Sequence, residues 1–322
     1  MNTICEYTLK GLRKLLYHGP DSVKPFMDPD AASEAIAGLL EGGRPCMVAR
    51  FGSVELNALT NALAVRDASG HSAFGFITGK CQQWWWNRKG MEEMRVNAGF
   101  FPVDPESLFA FADWMEKDRR ELDLLGSWRP EERFLDLSGI PKIPLVYMEP
   151  FWSQRPWTRL LEGKKVLVVH PFAEAIEAQF ARRERLFKNP EILPAFRIRT
   201  LKAVQSIGGG AEGYPDWFSA LDAMKRQMDA EEYDIALIGC GAYGFPLAAH
   251  AKRTGHQAVH LGGALQLLFG IKGARWEDPS YGVKEWGLPQ GFYPALFNES
   301  WIRPGEALRP ANADRVENGC YW

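Results

Sequence analysis

A glycine-rich segment in the last third of the chain has the spacing of a phosphate-binding turn. Gly239, Gly241 and Gly244 follow the apolar run from Ile235 to Ile238, and Pro246 suits the first turn of a helix. Glycines at such a turn let the backbone come close to a ligand, and the free N–H groups of a helix start favour an anion. The pattern predicts a strand, a phosphate-binding turn and a helix, although a tight bend without a ligand has the same pattern.

The next predicted strand argues against a dinucleotide at this turn. In NAD-binding domains that strand ends in an Asp or Glu that binds the ribose hydroxyls. Here the strand from Gln257 to Leu261 carries His260 near its end and continues into Gly262 and Gly263. Dinucleotide-binding domains also usually open with their glycine turn, whereas this turn comes late in the chain. An NAD(P)-dependent oxidoreductase that acts on nucleotide sugars therefore stays an alternative rather than the first interpretation.

A second polar junction follows an earlier predicted strand. Arg50 and Glu55 bracket a turn of small residues that contains Gly52 and Ser53. An acid such as Glu55 just inside a helix start is favourable for the helix dipole alone. The same carboxylate could instead coordinate a divalent cation that bridges two phosphates, or orient an acceptor hydroxyl. Both interpretations of Glu55 are open at this point.

Two histidines also stand at predicted strand ends. His170 and His260 could each donate to a phosphate or act as a base, or each could be satisfied by neighbouring backbone groups. Neither has other His or Cys residues at a metal-ligand spacing, so a zinc enzyme is not expected. The chain contains no Gly-x-Ser-x-Gly segment and no Walker A sequence, which argues against a serine hydrolase and a P-loop ATPase.

The elements that position these residues alternate between strand and helix from Lys164 onward. Strands are predicted over 165–169, 196–201, 234–238 and 258–261, and helices over 173–187, 216–230, 245–254 and 264–269. Earlier, helices are predicted over 29–40, from Gly52 through Leu63, over 82–95 and over 105–120, and strands over 46–51 and 143–148. This alternation predicts an α/β fold, a Rossmann-like and mainly parallel sheet with helices on both faces. Because ligands bind at the carboxyl ends of such strands, we expect the polar junctions to converge on one crevice.

Composition limits the number of domains, the class of partner and the cellular location that the sequence predicts. A chain of 322 residues can form one elaborate domain or two close lobes, and its formal net charge of −2 argues against nucleic acid as a partner. The five cysteines are scattered and include no Cys-x-x-Cys pair, so a reducing cytoplasm is the simplest expected location. No apolar run approaches the ~20 residues that span a bilayer.

The segment over residues 7–17 is amphipathic and basic. Its apolar residues are Leu9, Leu12, Leu15 and Leu16, and its basic residues are Lys10, Arg13 and Lys14. Such a helix can lie on a membrane surface, so the segment predicts a peripheral membrane contact. Packing against the body of the protein is the alternative.

Several longer segments together resemble the glycosyltransferases of the GT-D fold, in a functionally unassigned branch. Arg50-Phe-Gly-Ser-Val-Glu-Leu56 is similar to the Arg-x-Gly-Asp-Gly-Glu segment that carries their Asp-x-Glu metal motif. Further segments in the same order resemble the other signatures of that branch, namely residues 163–172, 238–244, 260–276, 298–304 and 317–322. Matches of this length in one order are more specific than a lone glycine motif.

The resemblance implies a single domain over residues 1–322 that transfers a sugar from a nucleotide diphosphate sugar, UDP-linked, to a glycan acceptor. Residues 1–150 would carry the metal and acceptor motif, 163–276 would bind the nucleotide, and 277–322 would form a wrapping tail. Ser53 and Glu55 would bind a manganese or magnesium ion, and Ser53 stands where the family has Asp. A non-catalytic module that binds sugar nucleotides or glycans stays an alternative because of this departure.

The same resemblance and the positions along the chain imply roles for the other candidates. The residues expected to contact the nucleotide are Arg50, Gly52, Gly239, Gly241, Tyr243 and Gly244. Glu55, His170 and His260 are the expected catalytic residues, with the histidines at the departing diphosphate, whose charge needs stabilisation. Asp104 and Glu149 are weaker candidates for a general base. The tryptophans over 84–86 would either shape the acceptor side or serve as packing.

Overall fold

Seven short strands form one sheet in which every strand runs parallel to its neighbours. The computed structural model describes residues 3–19, 22–209, 213–305, 309, 313–316 and 319–322. The strands are β1 (Cys46–Ala49), β2 (Leu124–Ser127), β3 (Lys142–Pro144), β4 (Lys165–His170), β5 (Arg197–Lys202), β6 (Ile235–Ile238) and β7 (Gln257–His260). Their order across the sheet is β3-β2-β1-β7-β6-β4-β5. The expected α/β fold with a parallel, Rossmann-like sheet is confirmed.

Helices cover both faces of this sheet. They are α1 (Thr3–Leu16), α2 (Pro29–Glu41), α3 (Ser53–Arg66), α4 (Ala73–Ile77), α5 (Arg88–Val96), α6 (Pro105–Asp118), α7 (Ala173–Phe180), α8 (Trp217–Asp229), α9 (Gly244–Arg253), α10 (Leu265–Leu268), α11 (Ala274–Glu277), α12 (Val283–Trp286) and α13 (Phe292–Leu296). Successive strand residues point to opposite faces, so Met47 and Ala49 pack in one core with α3, α6, α8 and α9. Cys46 and Val48 pack in a second core with α2, α7 and α10.

Aspartates begin three of these helices. The side chains of Asp28, Asp104 and Asp216 each accept a hydrogen bond from a backbone N–H in the first turn of the helix that follows. Pro29 and Pro105 occupy the first helical position after two of them, where a missing N–H costs no hydrogen bond.

The predicted helix over 82–95 is wrong in its first half. The Asn61 side chain donates from Nδ2 to the carbonyl oxygens of Gln83 (2.8 Å) and Trp85 (3.0 Å). Its Oδ1 accepts from the Asn87 N–H at 3.0 Å. These bonds hold the segment in a non-helical conformation, and α5 begins only at Arg88.

The strands of the N-terminal half were predicted incompletely. β2 was not expected, because it is four residues long and contains Gly126. A Cβ atom at Gly126 would collide with Sδ of Met148, which explains the glycine within a strand. The strand predicted over 143–148 ends at Pro144, and the chain continues as a 3₁₀ turn.

One helix of the C-terminal half is shorter than predicted. The helix expected over 173–187 ends at Phe180.

The N-terminal helix packs along one side only. In α1, Leu9 is buried against Phe76 and Trp85. On other sides of α1, Ile4 is 75% exposed, Tyr7 73% and Leu15 71%. Packing against the body of the protein and contact with a membrane surface are therefore compatible expectations for this segment, because one side of α1 contacts the body and an apolar side stays exposed. None of the described helices combines the length and the apolar character that crossing a membrane requires.

The sheet topology creates a crevice at the carboxyl ends of β4 and β6. The chain leaves β4 toward β5 on one side, and it leaves β6 toward β7 on the other side. Where two neighbouring parallel strands lead their connections in opposite directions, a gap opens beyond their carboxyl ends, and ligands of α/β proteins bind there. β7 pairs with β1, so the residues after β1 lie at the same edge.

Candidate functional site

The three polar junctions line one cavity at this edge of the sheet. After β1 it is lined by Arg50, Gly52, Ser53 and Glu55, at the end of β4 by His170, and after β6 by Gly239, Gly241 and Tyr243. His260, the last residue of β7, lines it as well. Among the residues expected to contact the nucleotide, Gly244 alone does not line the cavity. The structure therefore brings together sequence candidates from Arg50 to His260, which are far apart in the chain.

The glycine turn after β6 is shaped by contacts within the protein. A Cβ atom at Gly239 would collide with the carbonyl oxygen of Gly262, and one at Gly244 would collide with the imidazole of His260. Gly241 has a φ of +58°, a left-handed conformation that side chains other than glycine rarely adopt. All three glycines are thus required by packing or backbone geometry before any ligand is considered. The Gly-x-Gly-x-x-Gly spacing alone does not identify a phosphate site here.

Tyr243 is held by its own contacts at the wall of the cavity. Its hydroxyl hydrogen-bonds with the Ser206 hydroxyl at 2.9 Å, and its ring stacks on Trp217 with centroids 5.3 Å apart. The side chain is buried. A buried, stacked ring of this kind offers a rigid surface to a ligand, and its position is set by the core of the protein.

Glu55 is folded back over the first turn of α3. Its carboxylate lies where a Cβ atom at Gly52 would be, so position 52 admits only glycine without a shift of Glu55. Burial raises the pKa of Glu55, and the neighbouring positive charge of Arg50 opposes that change. Glu55 is the one acidic side chain among the described residues that line the cavity.

Arg50 is a cation without an ion pair among the described residues. Its guanidinium lies 5.1 Å from the ring centroid of Trp128, and Nε is buried without a hydrogen-bond partner in the described part of the chain. The Arg50 side chain also lies beside Gly262, whose φ of +64° is a conformation that favours glycine. Burial lowers the pKa of Arg50, which means that the surroundings disfavour its charge.

A second guanidinium group lines the same cavity from the C-terminal part of the chain. Arg275, in α11, lies 4.9 Å from the ring centroid of Tyr321 and donates from Nη2 to Sγ of Cys320 at 2.9 Å. It was not proposed as a site residue from the sequence, although it falls within the matched segment 260–276. With Arg50 and Arg275 opposed by Glu55 alone, the cavity favours an anionic ligand.

The two histidines are neutral and carry their protons on different nitrogens. The N–H of Phe172 donates to Nδ1 of His170 at 3.0 Å, so the neutral ring has its proton on Nε2. Nδ1 of His260 lies 3.1 Å from the carbonyl oxygen of Ile238, so Nδ1 is the donor and Nε2 is an acceptor. Burial lowers the pKa of His170 to about 3. Burial, with Arg50 nearby, lowers that of His260 to about 3.

These protonation states separate the roles of the two rings. His170 can donate a hydrogen bond from Nε2 to an anion at neutral pH. His260 cannot donate from Nε2 while it is neutral, and its ring packs against Gly244. The geometry therefore favours His170 over His260 as a hydrogen-bond donor to an anion in the cavity.

The residues around Ser53 and Glu55 do not fit a resident divalent cation. Both stand in the first turn of α3, but Glu55 is the single carboxylate there and the Arg50 guanidinium lies close to it. Such a cation takes several oxygen ligands, usually with more than one negative charge. Within the described ranges, no group of three or more His, Cys, Asp or Glu side chains could hold a metal ion.

Other candidates lie away from the cavity. The Asp104 carboxylate caps α6 through the Ser107 N–H at 2.8 Å. Trp84 and Trp85 pack on each other and on Phe76, and Trp86 packs on Phe109. These tryptophans therefore serve as packing, which was one of the two expectations for them.

The residues at the C-terminal end contribute a wall that sequence reasoning did not assign. Tyr321 and Trp322 line the cavity, and the carbonyl oxygen of Tyr321 accepts from Nε2 of Gln266 at 3.2 Å. Glu317 and Asn318, which belong to the matched segment 317–322, lie outside the described residues.

Comparisons of the chain with models of protein families, with curated proteins and with solved structures gave no match. The resemblance to GT-D glycosyltransferases therefore rests on the sequence segments themselves.

Proposed function

We propose that the protein is a glycosyltransferase that binds a nucleoside diphosphate sugar, UDP-linked, in the cavity at the carboxyl ends of β1, β4, β6 and β7. The observation that carries the proposal is the pair of guanidinium groups, Arg50 and Arg275, in a cavity with one carboxylate. The cavity alone indicates an anionic ligand. We propose a sugar nucleotide as that anion because several segments of the chain resemble the GT-D enzymes. A GT-D type of fold is part of the same proposal.

The cavity offers the groups that departure of a diphosphate needs. When the bond between the sugar and the phosphate breaks, negative charge develops on the departing oxygen. The positive charges of Arg50 and Arg275 and the Nε2–H of neutral His170 are fixed at the cavity wall before reaction, so they stabilise that charge with little rearrangement. Glu55 lies beside Arg50 and would bind a hydroxyl group of the transferred sugar.

A manganese or magnesium ion takes a smaller part than the family resemblance implies. The protein residues do not fit a resident cation, and the two guanidinium groups already supply positive charge at the site. Ser53 and Glu55 would contact an ion only together with the oxygens of a bound diphosphate. We therefore propose that metal and nucleotide bind together, each increasing the affinity for the other by the same factor.

The glycan acceptor is proposed to be presented at a membrane surface. Ile4, Tyr7 and Leu15 form exposed apolar parts of α1, and Lys14 is exposed on the same helix. Apolar side chains with adjacent lysines fit the interface of a membrane that contains anionic lipids. Contact through α1 would place the protein close to a lipid-linked acceptor.

A ligand screen tests the proposed function. We expect UDP and UDP-sugars to raise the melting temperature of the protein, because a ligand that binds only the folded state stabilises it. NADPH is the comparison ligand for the oxidoreductase alternative and should leave the melting temperature unchanged. A shift with NADPH and none with UDP, GDP or dTDP would contradict the proposal.

Turnover separates an enzyme from a binding module. Release of UDP from UDP-sugars, with water or a pyranoside as acceptor, should be measurable in the native protein. The Glu55→Gln variant keeps the shape of the side chain and should reduce that release by about 10- to 100-fold, because a hydrogen bond to a charged group contributes about 1.5–3 kcal/mol. Tight UDP binding with no release of UDP under any condition would indicate a non-catalytic sugar-nucleotide module instead.

A further inference from the structure

A second cavity lies directly beside the first. The side chains of Arg50, Trp128, Arg275 and Tyr321 line both cavities. Three aromatic residues of the C-terminal part of the chain line the second cavity. They are Trp276 in α11, Trp286 in α12, and Tyr281 between these two helices. A transfer reaction needs two adjacent binding sites with a common boundary, and this arrangement provides one.

Glu149 places a carboxylate at the second cavity. Its Oε2 accepts from the Tyr293 hydroxyl at 2.9 Å and from Nε1 of Trp152 at 3.3 Å. No hydrogen bond from the described residues reaches Oε1. One carboxylate oxygen is therefore fixed in place, while the other is available to a ligand in the cavity.

Two buried donors on residues of this cavity also have no hydrogen-bond partner in the described part of the chain. They are Nε of Arg50 and Nε1 of Trp286. Buried polar groups are usually paired, and each unpaired group costs on the order of a hydrogen bond. A ligand with several hydroxyl groups would pair such donors, whereas an apolar ligand would leave them unpaired.

Aromatic faces together with hydrogen-bonding groups favour a sugar ring. The C–H faces of a pyranose pack on indole and phenol rings, and its hydroxyl groups pair with polar atoms at the edges of the site. Arg50, Arg275 and one carboxylate line each cavity, so charge does not distinguish the two cavities. The second cavity differs in its aromatic lining, because Trp276, Tyr281 and Trp286 line it and do not line the first.

We propose that the second cavity is the acceptor site, where a pyranose lies against Trp276, Tyr281 and Trp286 and Glu149 takes the proton of the attacking hydroxyl. This inference rests on the proposed glycosyl transfer. In the step, the acceptor oxygen forms a bond to the anomeric carbon of the donor sugar, and its proton passes to the Glu149 carboxylate. The bond between the anomeric carbon and the diphosphate oxygen breaks, and its electron pair leaves with the diphosphate.

The protonation behaviour of Glu149 agrees with a base that works near neutral pH. Burial raises the pKa of Glu149 to about 7, although the hydrogen bonds from Tyr293 and Trp152 oppose that change. Among the described residues, the other titratable or charged groups that line this cavity are Arg50, Arg275, Tyr281 and Tyr321, and Tyr293 contacts Glu149 directly. A carboxylate with a pKa near the working pH is both available and basic enough to accept a proton.

The experiment compares native protein with Glu149→Gln and Tyr293→Phe in three measurements. UDP affinity is measured by calorimetry, and binding of p-nitrophenyl pyranosides of the gluco, galacto and manno series is measured in the presence of UDP. Transfer from UDP-sugars to the same pyranosides is followed as a function of pH. Glu277→Gln is the control, because Glu277 pairs with Lys272 in the same part of the chain but does not line either cavity.

Glu149→Gln should bind UDP and pyranoside as the native protein does and lose transfer by at least about 100-fold. The rate of the native protein should fall below a midpoint near pH 7. Tyr293→Phe should move that midpoint to higher pH, because it removes a hydrogen bond that favours the carboxylate. A structural role of Glu149 would lower the rate without moving the midpoint.

The outcomes separate this inference from the proposed function. If UDP does not bind to the native protein, the proposed function fails and the acceptor site fails with it. If UDP binds but no pyranoside does, or if Glu149→Gln transfers at the native rate, the acceptor site is wrong and the proposed donor site stands.

Discussion

Replacing Arg50 by methionine should weaken the binding of UDP and leave the fold at least as stable. Methionine keeps an unbranched side chain against Trp128 and Gly262 but removes the charge and the unpaired Nε donor. Because burial disfavours the charge of Arg50, its removal relieves a cost in the unliganded protein. Opposite effects on binding and on stability are typical of a group kept for function.

The size of the binding effect follows from electrostatics. A guanidinium and a phosphate oxygen ~4 Å apart attract each other by roughly 4 kcal/mol at an effective dielectric constant of ~20. Removal of both groups from water offsets part of this gain, and hydrogen bonds to charged groups contribute about 1.5–3 kcal/mol net. A loss of about 2–3 kcal/mol corresponds to roughly a 30- to 150-fold increase in the Kd for UDP.

Calorimetric titration with UDP and urea denaturation measure the two effects of Arg50→Met. Arg66→Met is a matched control, because the Arg66 guanidinium lies 5.0 Å from the Phe109 ring centroid, a similar stacking distance, but away from the cavity. The control should bind UDP as the native protein does. The expected increase in the Kd is roughly 30- to 150-fold. A Kd for Arg50→Met within about threefold of the native value would therefore refute the assignment of Arg50 to the donor site.

Three other predictions concern the metal, the membrane and the pH dependence of stability. Ser53→Asp adds a second carboxylate and should strengthen manganese binding in the absence of nucleotide. Calorimetric titration of manganese with and without UDP measures this change. Equal manganese affinities of the native and variant proteins would mean that another residue supplies the ligand. Leu15→Glu should reduce the sedimentation of the protein with vesicles that contain anionic lipid, and the native protein should bind these vesicles less as the salt concentration increases. Unchanged vesicle binding of the Leu15→Glu variant would exclude α1 as the membrane contact. The folded-state pKa of Glu149 lies at about 7, above its ordinary value of 4.5, so ionisation destabilises the fold increasingly from about pH 4.5 to 7. Glu149→Gln should therefore increase the free energy of unfolding at pH 8 by ~1–3 kcal/mol and have little effect at pH 4, as urea denaturation at both pH values would report.

The fold was predictable from the sequence where packing follows periodicity. β4 and β6 are buried on both faces and appear in the sequence as short apolar runs, and Asp216 begins α8 with an aspartate cap. The segment over 82–87 was not predictable, because a side chain from α3, Asn61, takes its backbone hydrogen bonds. That contact joins residues more than 20 positions apart and leaves no periodic signal.

The site was predictable only in part, for a similar reason. Residues that end strands could be identified, because parallel strands present their carboxyl ends at one edge. Arg275 and Tyr321 reach the cavity from short helices and turns after the last strand, where no repeating pattern indicates a direction. The protonated nitrogens of His170 and His260 depend on single backbone groups of Phe172 and Ile238, whose orientation the sequence does not specify.

The pairing of β1 with β7 has a consequence for folding kinetics. It joins Val48 to Val259, about 210 residues apart, in the middle of the sheet. Pairings between such distant segments form slowly, because a long loop must close before the contact stabilises the chain. Arg50 follows one of these strands and His260 ends the other, so the cavity that they line exists only after this closure. A nucleotide should therefore slow unfolding of the chain without accelerating its folding.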